Sequence, residues 1–160
     1  MVTLFRPRKS SPRLERLHAL SLFVNLTPAE LEIVDGLLHE RQYLEGEVIF
    51  DEGEEGQAIY IVASGEVLIC RQGQGDAGRV AQLGPGTFFG ELALLDDSPR
   101  SAQARAVTPC QLIVFFRDDF VGLLDTHARI ASKISRQLAL HLGTRMRAMA
   151  QSMGAEKHLV

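Results

Sequence analysis

The sequence predicts an α+β protein: an antiparallel, jelly-roll-like β-roll flanked by N-terminal helices and by a short and then a long C-terminal helix. Three observations predict it. Between about residues 41 and 116, short β-rich segments are separated by glycines. Apolar residues recur at helical spacing on either side of that stretch. The last of these stripes, from Ile130 through Ile134, Leu138, Leu142, Met146 and Met149 to Met153, runs for about seven turns.

Leu14, Leu17, Leu20 and Leu22 give a weak helical spacing at the start. A stronger helix follows. Thr27 is placed to cap it, Pro28 suits its first position, and Glu30 falls in the acid-favoured first turn. Leu31, Val34, Leu37 and Leu38 carry its apolar face to about His39. Strands are predicted at Val48-Ile49-Phe50, Ala58 to Val62, Val67 to Cys70 and Leu112 to Phe116, with turns at Ser64-Gly65 and Pro85-Gly86. Gly46, Gly53, Gly56, Gly73, Gly75, Gly78 and Gly84 flank or separate them. A short helix capped by Asp118 or Asp119 then runs to Leu124, and the long one starts near Thr126. Its stripe is longer than a small roll can cover, so part of it is expected to pair with the same helix of a second chain.

The 160 residues suit a single domain over 14–153, divided into helical (14–40), roll (41–116) and helical (117–153) parts. A basic flexible tail, 1–13, and a short tail, 154–160, are expected at the ends. The first carries Arg6, Arg8, Lys9 and Arg13, with Arg16 close behind, and reads as a solvated run. A net charge of −3 argues against a general polyanion binder. No apolar run approaches the roughly 18–20 residues that span a bilayer, and no secretory signal pattern is present, so a cytoplasmic location is expected. Cys70 and Cys110 fit reduced thiols rather than a disulfide framework or zinc site.

The chemistry is concentrated in Phe88-Phe89-Gly90-Glu91-Leu92-Ala93-Leu94-Leu95-Asp96-Asp97-Ser98-Pro99-Arg100-Ser101-Ala102. It reads as a strand end, one helical turn and a loop returning to a strand. Gly90 lets the backbone approach a ligand. The amides of Leu92 and Ala93 are expected to lie unpaired at the start of the turn, ready for an anion. Arg100 can return its guanidinium to the same place, with the Ser101 hydroxyl beside it. These groups describe a phosphate site. A carboxylate there, Glu91, makes sense if the ligand also carries a hydroxyl donor. The pair specifies a sugar phosphate.

This stretch resembles the phosphate-binding cassette of the cyclic nucleotide-binding domain family, which includes bacterial cAMP receptor proteins, protein kinase A regulatory subunits and cyclic-nucleotide-gated channels. In that family Phe-Gly-Glu-(apolar)-Ala-Leu leads, at this spacing, to Pro-Arg-(Ala/Ser/Thr)-Ala. The likeness continues in Leu22-Phe23 to Leu31, in Gly46 to Gly53, and in Ala58 to Val67, covering about residues 14–150. The resemblance implies that Glu91 takes a ribose hydroxyl and Arg100 the cyclic phosphate, with Gly90, Leu92, Ala93, Ser101 and Ala102 completing the anion site. It further implies that a residue of the long helix, in the region of Thr144, Arg145 and Met146, caps the base, and that Val80 supplies an apolar wall. One departure is Asp97, beside Asp96, where the family usually has a small residue; both read as solvated loop acids.

The resemblance implies a non-enzymatic sensor of cAMP, with cGMP also compatible and no cofactor expected. Binding is expected to move a hinge at Arg117–Leu124, swing the long helix across the base, and signal to an unidentified protein partner or a second subunit. A metalloenzyme on a similar roll would hold its metal with strand histidines. His18, His39, His127, His141 and His158 are all placed in helices or the tail, so no metal site is expected. Direct DNA binding is not expected either, because only Gly154 to Val160 follow Met153. The remaining alternative is a degenerate fold that serves as a protein-interaction module without nucleotide.

Overall fold

In the computed structural model, which describes residues 11–71 and 78–154, Ser11 opens the first helix, α1 (Pro12–His18), by accepting a hydrogen bond from the Leu14 amide. The helix thus begins inside the segment read as a tail. Arg6, Arg8, Lys9, Gly73, Gly75, His158 and the tail beyond Gly154 lie outside the described residues. A 3-10 turn, Ser21–Phe23, leads to α2 (Pro28–Asp35). Its expected cap forms as a full capping box: Thr27 Oγ1 accepts from the Glu30 amide, and the Glu30 carboxylate accepts from the Thr27 amide.

α2 stops at Asp35, four residues before the expected His39. Gly36 ends it, its amide donating to Glu32 O, and Leu37 and Leu38 form a turn. Leu38 is still buried, so the apolar spacing was sound but the last turn was not helical. The roll accordingly begins at His39 rather than Arg41, and His39 is a strand residue, not a helical one.

Among the described residues eight strands build the roll: β1 (His39–Tyr43), β2 (Val48–Phe50), β3 (Ala58–Ser64), β4 (Val67–Cys70), β5 (Arg79–Leu83), β6 (Phe88–Phe89), β7 (Gln103–Ala106) and β8 (Cys110–Phe116). They pair antiparallel in two four-stranded sheets, ordered β1-β8-β3-β6 and β2-β7-β4-β5.

Strand alternation divides the core in two. On β3, Ile59 and Ile61 face the helices while Tyr60 and Val62 face into the roll. β8 does the same with Phe115 against Leu112 and Val114. Adjacent Phe88 and Phe89 point opposite ways: Phe88 joins the helical layer, and Phe89 stacks on Tyr60 inside the roll at 5.4 Å between centroids. Cover on both faces explains why β3 reads as a continuous apolar run.

Helices return as α3 (Arg117–Thr126) and α4 (Ala128–Ser152). Phe116 occupies the α3 cap position without a side-chain bond; Asp118 and Asp119 sit in the first turn, favoured there by the helix dipole rather than as caps. The root of α4 buries Ile130, Ile134 and Leu138 in the helical layer of the core, beside α3 and the Ser21–Phe23 turn, while Met146, Met149 and Met153 are exposed. No described helix is long and apolar enough to cross a membrane. Cys70 and Cys110 are free thiols, half-buried and buried.

Candidate functional site

β6 ends at Gly90, which adopts the left-handed conformation (φ 71°) and turns the chain into a 3-10 turn over Glu91–Leu94. The loop returns through Pro99, bridged to Glu55, and Arg100 is clamped at both backbone groups: its amide donates to Glu54 O (2.7 Å) and its carbonyl accepts from the Gly53 amide (2.8 Å). The short hairpin after β2 thereby fixes where the Arg100 side chain starts.

That side chain is 9% exposed. Nη1 donates to Gly90 O at 3.1 Å and Nη2 to Ala58 O at 2.7 Å, and the guanidinium lies 4.1 Å above the Phe50 ring. Nε is buried without a hydrogen-bond partner among the described residues. Burial lowers the Arg100 pKa from its ordinary value, against the pull of Tyr60, Glu54 and Glu91. The group stays charged at neutral pH. A buried cation that spends two of its five N–H donors on carbonyls, and whose Nε has no partner, has capacity left for an anion.

Two expectations for the turn are revised by this geometry. The space that Gly90 opens is used by Arg100: a Cβ built there would lie 2.5 Å from Arg100 Nη1. The Ala93 amide is not unpaired, since the 3-10 turn closes it onto Gly90 O at 3.1 Å.

Glu91 is buried, and its carboxylate is paired with the Arg145 guanidinium of α4, which lies across the opening. The protein thus supplies Glu91 with a counter-charge of its own. His141, one helical turn before Arg145, brings Nε2 to 3.7 Å from the same Glu91 oxygen and packs its ring on Phe88 at 4.2 Å. Burial lowers the His141 pKa; Glu91 opposes that shift and Arg145 adds to it.

Together these groups enclose a cavity of about 510 Å3, within the size range of small-molecule sites. Gly90, Glu91, Leu92, Ala93, Arg100, Ser101 and Ala102 all line it, as do Val80 and Arg145. Thr144 and Met146 do not. The Thr144 hydroxyl donates to Leu140 O on its own helix, and Met146 is 61% exposed. A step of one residue turns a helix by about 100°, so the neighbours of Arg145 point away from the cavity. Sequence reasoning missed His141, although it stands four residues from Arg145 on the same face. It also missed the apolar wall formed by Phe50, Ile69, Ala81 and Leu83 with Val80. Asp96 and Asp97 are exposed, as read; the Asp96 carboxylate accepts from the Ser98 amide. Among the described residues no cluster of histidine, cysteine and carboxylate side chains is placed to hold a metal ion.

The cavity therefore joins a cationic corner, a carboxylate and an apolar wall beneath a helix. Comparison with known proteins points the same way. The model of the cyclic nucleotide-binding domain matches residues 40–127. The cyclic AMP receptor protein of Thermus thermophilus is 40% identical over 122 residues, 76% of this chain and 56% of that protein. A putative potassium channel protein of Rhodopseudomonas palustris is 40% identical over 115 residues, 72% of this chain and 28% of the channel. The crystal structure of the Thermus thermophilus catabolite activator protein superposes with a TM-score of 0.73 at 37% identity, over 84% of this chain and 62% of that one. The chain thus spans little more than half the length of the first of these relatives and about a quarter of the second.

Proposed function

Since this chain belongs to the cyclic nucleotide-binding domain family, we propose that it is a cyclic nucleotide sensor whose ligand is cAMP. The observation that carries the reading is the convergence of Arg100 and Glu91 on one cavity walled by apolar side chains and covered by α4. The cyclic phosphate sits at the Arg100 corner, the ribose hydroxyl donates to Glu91, and the base lies along Ile69, Val80, Ala81 and Leu83. Each charge-assisted hydrogen bond to the phosphate contributes about 1.5–3 kcal/mol. Three of them provide much of the roughly 8 kcal/mol behind micromolar affinity.

The route from ligand to surface runs through Arg117. Its guanidinium donates to Asp96 O at 2.8 Å and its amide to Gln57 O at 2.8 Å, so the first residue of α3 is tied to the loop that carries Arg100. Movement of that loop shifts α3, and α3 packs on α4. The outer end of α4 is the readout surface. Its exposed Met146, Met149 and Met153 suit pairing with the same helix of a second copy, which sedimentation of the purified chain tests. A downstream protein that reads this surface completes the proposed pathway.

Isothermal titration with cAMP and cGMP, on the wild type and on Arg100→Gln, tests the reading. Saturable binding at micromolar or lower Kd is expected, tighter for cAMP, and lost in the variant. A wild type that binds neither nucleotide would leave the interaction-module alternative in its place.

A further inference from the structure

His141 Nε2 and Glu91 Oε1 face each other across 3.7 Å, beyond the length of a direct N–H···O hydrogen bond. Nε2 is buried and has no hydrogen-bond partner among the described residues. Burying such a group unpaired is costly, so a partner is favoured. The ring is not free to search for one, because it packs on Phe88 at the foot of the cavity.

The separation fits a third atom, which reaches the buried Nε2 as α4 shifts to admit the ligand. An oxygen about 2.8 Å from each of two atoms set this far apart subtends an angle of roughly 80° between them, which hydrogen bonds at a hydroxyl tolerate. The polarity of the bracket selects what that oxygen is. A carboxylate only accepts, so the oxygen must donate to Glu91. Nε2, carrying the imidazole proton, donates to it in turn. A hydroxyl does both at once, whereas an ether or carbonyl oxygen does only the second. The Glu91 carboxylate already accepts from the Arg145 guanidinium. Burial disfavours a charged His141, consistent with a neutral ring having one donor nitrogen.

We propose that His141 is a ligand-contact residue that, together with Glu91, brackets the 2′-hydroxyl of the bound ribose and makes the site select ribonucleotides over their 2′-deoxy analogues. This inference rests on the cyclic nucleotide reading above. It adds a residue from the helix that covers the site, so hydroxyl recognition also holds α4 in place. A ligand without the hydroxyl loses affinity and, with it, one tie between the roll and α4.

The test is isothermal titration of the full chain with 3′,5′-cAMP and with its 2′-deoxy analogue. His141→Phe keeps an aromatic ring against Phe88 but has no nitrogen; His141→Gln restores a side-chain N–H at similar reach. The wild type is expected to prefer the ribonucleotide. His141→Phe should cut that preference by about threefold to tenfold, the worth of one hydrogen bond, through weaker ribonucleotide binding with deoxynucleotide binding unchanged. His141→Gln should recover part of the preference. If His141→Phe folds poorly, His141→Asn, too short to reach the bracketed position, gives the same contrast. Full preference retained in these variants overturns the inference, and so does an equal loss for both ligands, which marks a packing role. A wild type that binds neither nucleotide overturns the functional reading and this inference together. Arg100-dependent binding with the preference intact in every His141 variant overturns this one alone.

Discussion

The two ends of the cavity are built by different means. At the Arg100 end, the key side chain starts from a backbone clamped on both sides by Gly53 and Glu54, and it finishes on two carbonyls, Gly90 and Ala58. Every partner there belongs to the roll. At the α4 end, the carboxylate comes from the roll but its partners, His141 and Arg145, come from a helix anchored a turn or more away at Ile134 and Leu138. The first end is fixed by strand pairing and turn geometry. The second depends on how α4 lies, which makes it the end where ligand contact can become movement.

If that division is right, damage at the Arg100 end should remove binding outright. Gly90→Ala introduces a Cβ 2.5 Å from Arg100 Nη1 at a residue with φ of 71°. The strained backbone alone costs about 1–3 kcal/mol. Displacing the guanidinium forfeits charge-assisted bonds to the phosphate, so cAMP affinity should fall about a hundredfold or more by titration. Gly86→Ala is the control: it has a similar φ of 87° but meets nothing within 4 Å. It should lower the melting temperature and leave affinity unchanged. Equal affinity losses in the two variants would dissolve the distinction between a packed corner and mere backbone strain.

A smaller effect is expected at the α4 end, where the pair is half open to water. Arg145 is 53% exposed while Glu91 is 4% exposed, so removing the guanidinium strands a buried carboxylate. Arg145→Gln should cost about 1–2 kcal/mol of stability, well short of a fully buried pair because solvent already screens Arg145. Glu91→Gln in the same chain removes the stranded charge, and the double variant should regain most of that loss in a denaturant-unfolding cycle. Simple additivity of the two changes would mean that the ion pair does not hold α4 to the roll.

The same division decides what the sequence disclosed. Gly90, Glu91 and Arg100 stand within eleven residues of one another, and local turn chemistry with the family likeness was enough to place them in one site. What the likeness could not supply was the internal bonding: Arg100 spends two donors on carbonyls, and the Ala93 amide closes its own turn. At the α4 end the sequence located the region but not the phase. Arg145 reaches the cavity and Thr144 and Met146 do not, because a helix separates neighbours by about 100°. The strands that went unread are mostly edges. β1 reads His39-Glu40-Arg41-Gln42-Tyr43, polar because it pairs only with β8, and β5 likewise pairs only with β4. The register of β1 comes from β8, far away in sequence, which no local pattern carries.

The slightest expected difference between the two ends is their response to mild acid. Arg100 does not titrate near neutrality. His141 does: its folded-state pKa lies below the ordinary 6.5, through burial and the nearby Arg145 charge, with Glu91 in opposition. A base with a depressed folded pKa binds its proton more readily in the unfolded chain. Its contribution to stability is therefore complete above about pH 6.5 and declines as the pH drops through that value towards the folded-state pKa. Wild-type protein without ligand should lose slightly more melting temperature between about pH 7.5 and 5.5 than His141→Gln, which has no imidazole at that position. The carboxylates and the other histidines are common to both proteins, so the difference between the two curves isolates the His141 imidazole. Parallel curves would show that α4 does not hold His141 in a dry, neutral setting, and the α4 end would then be no more sensitive to pH than the Arg100 corner.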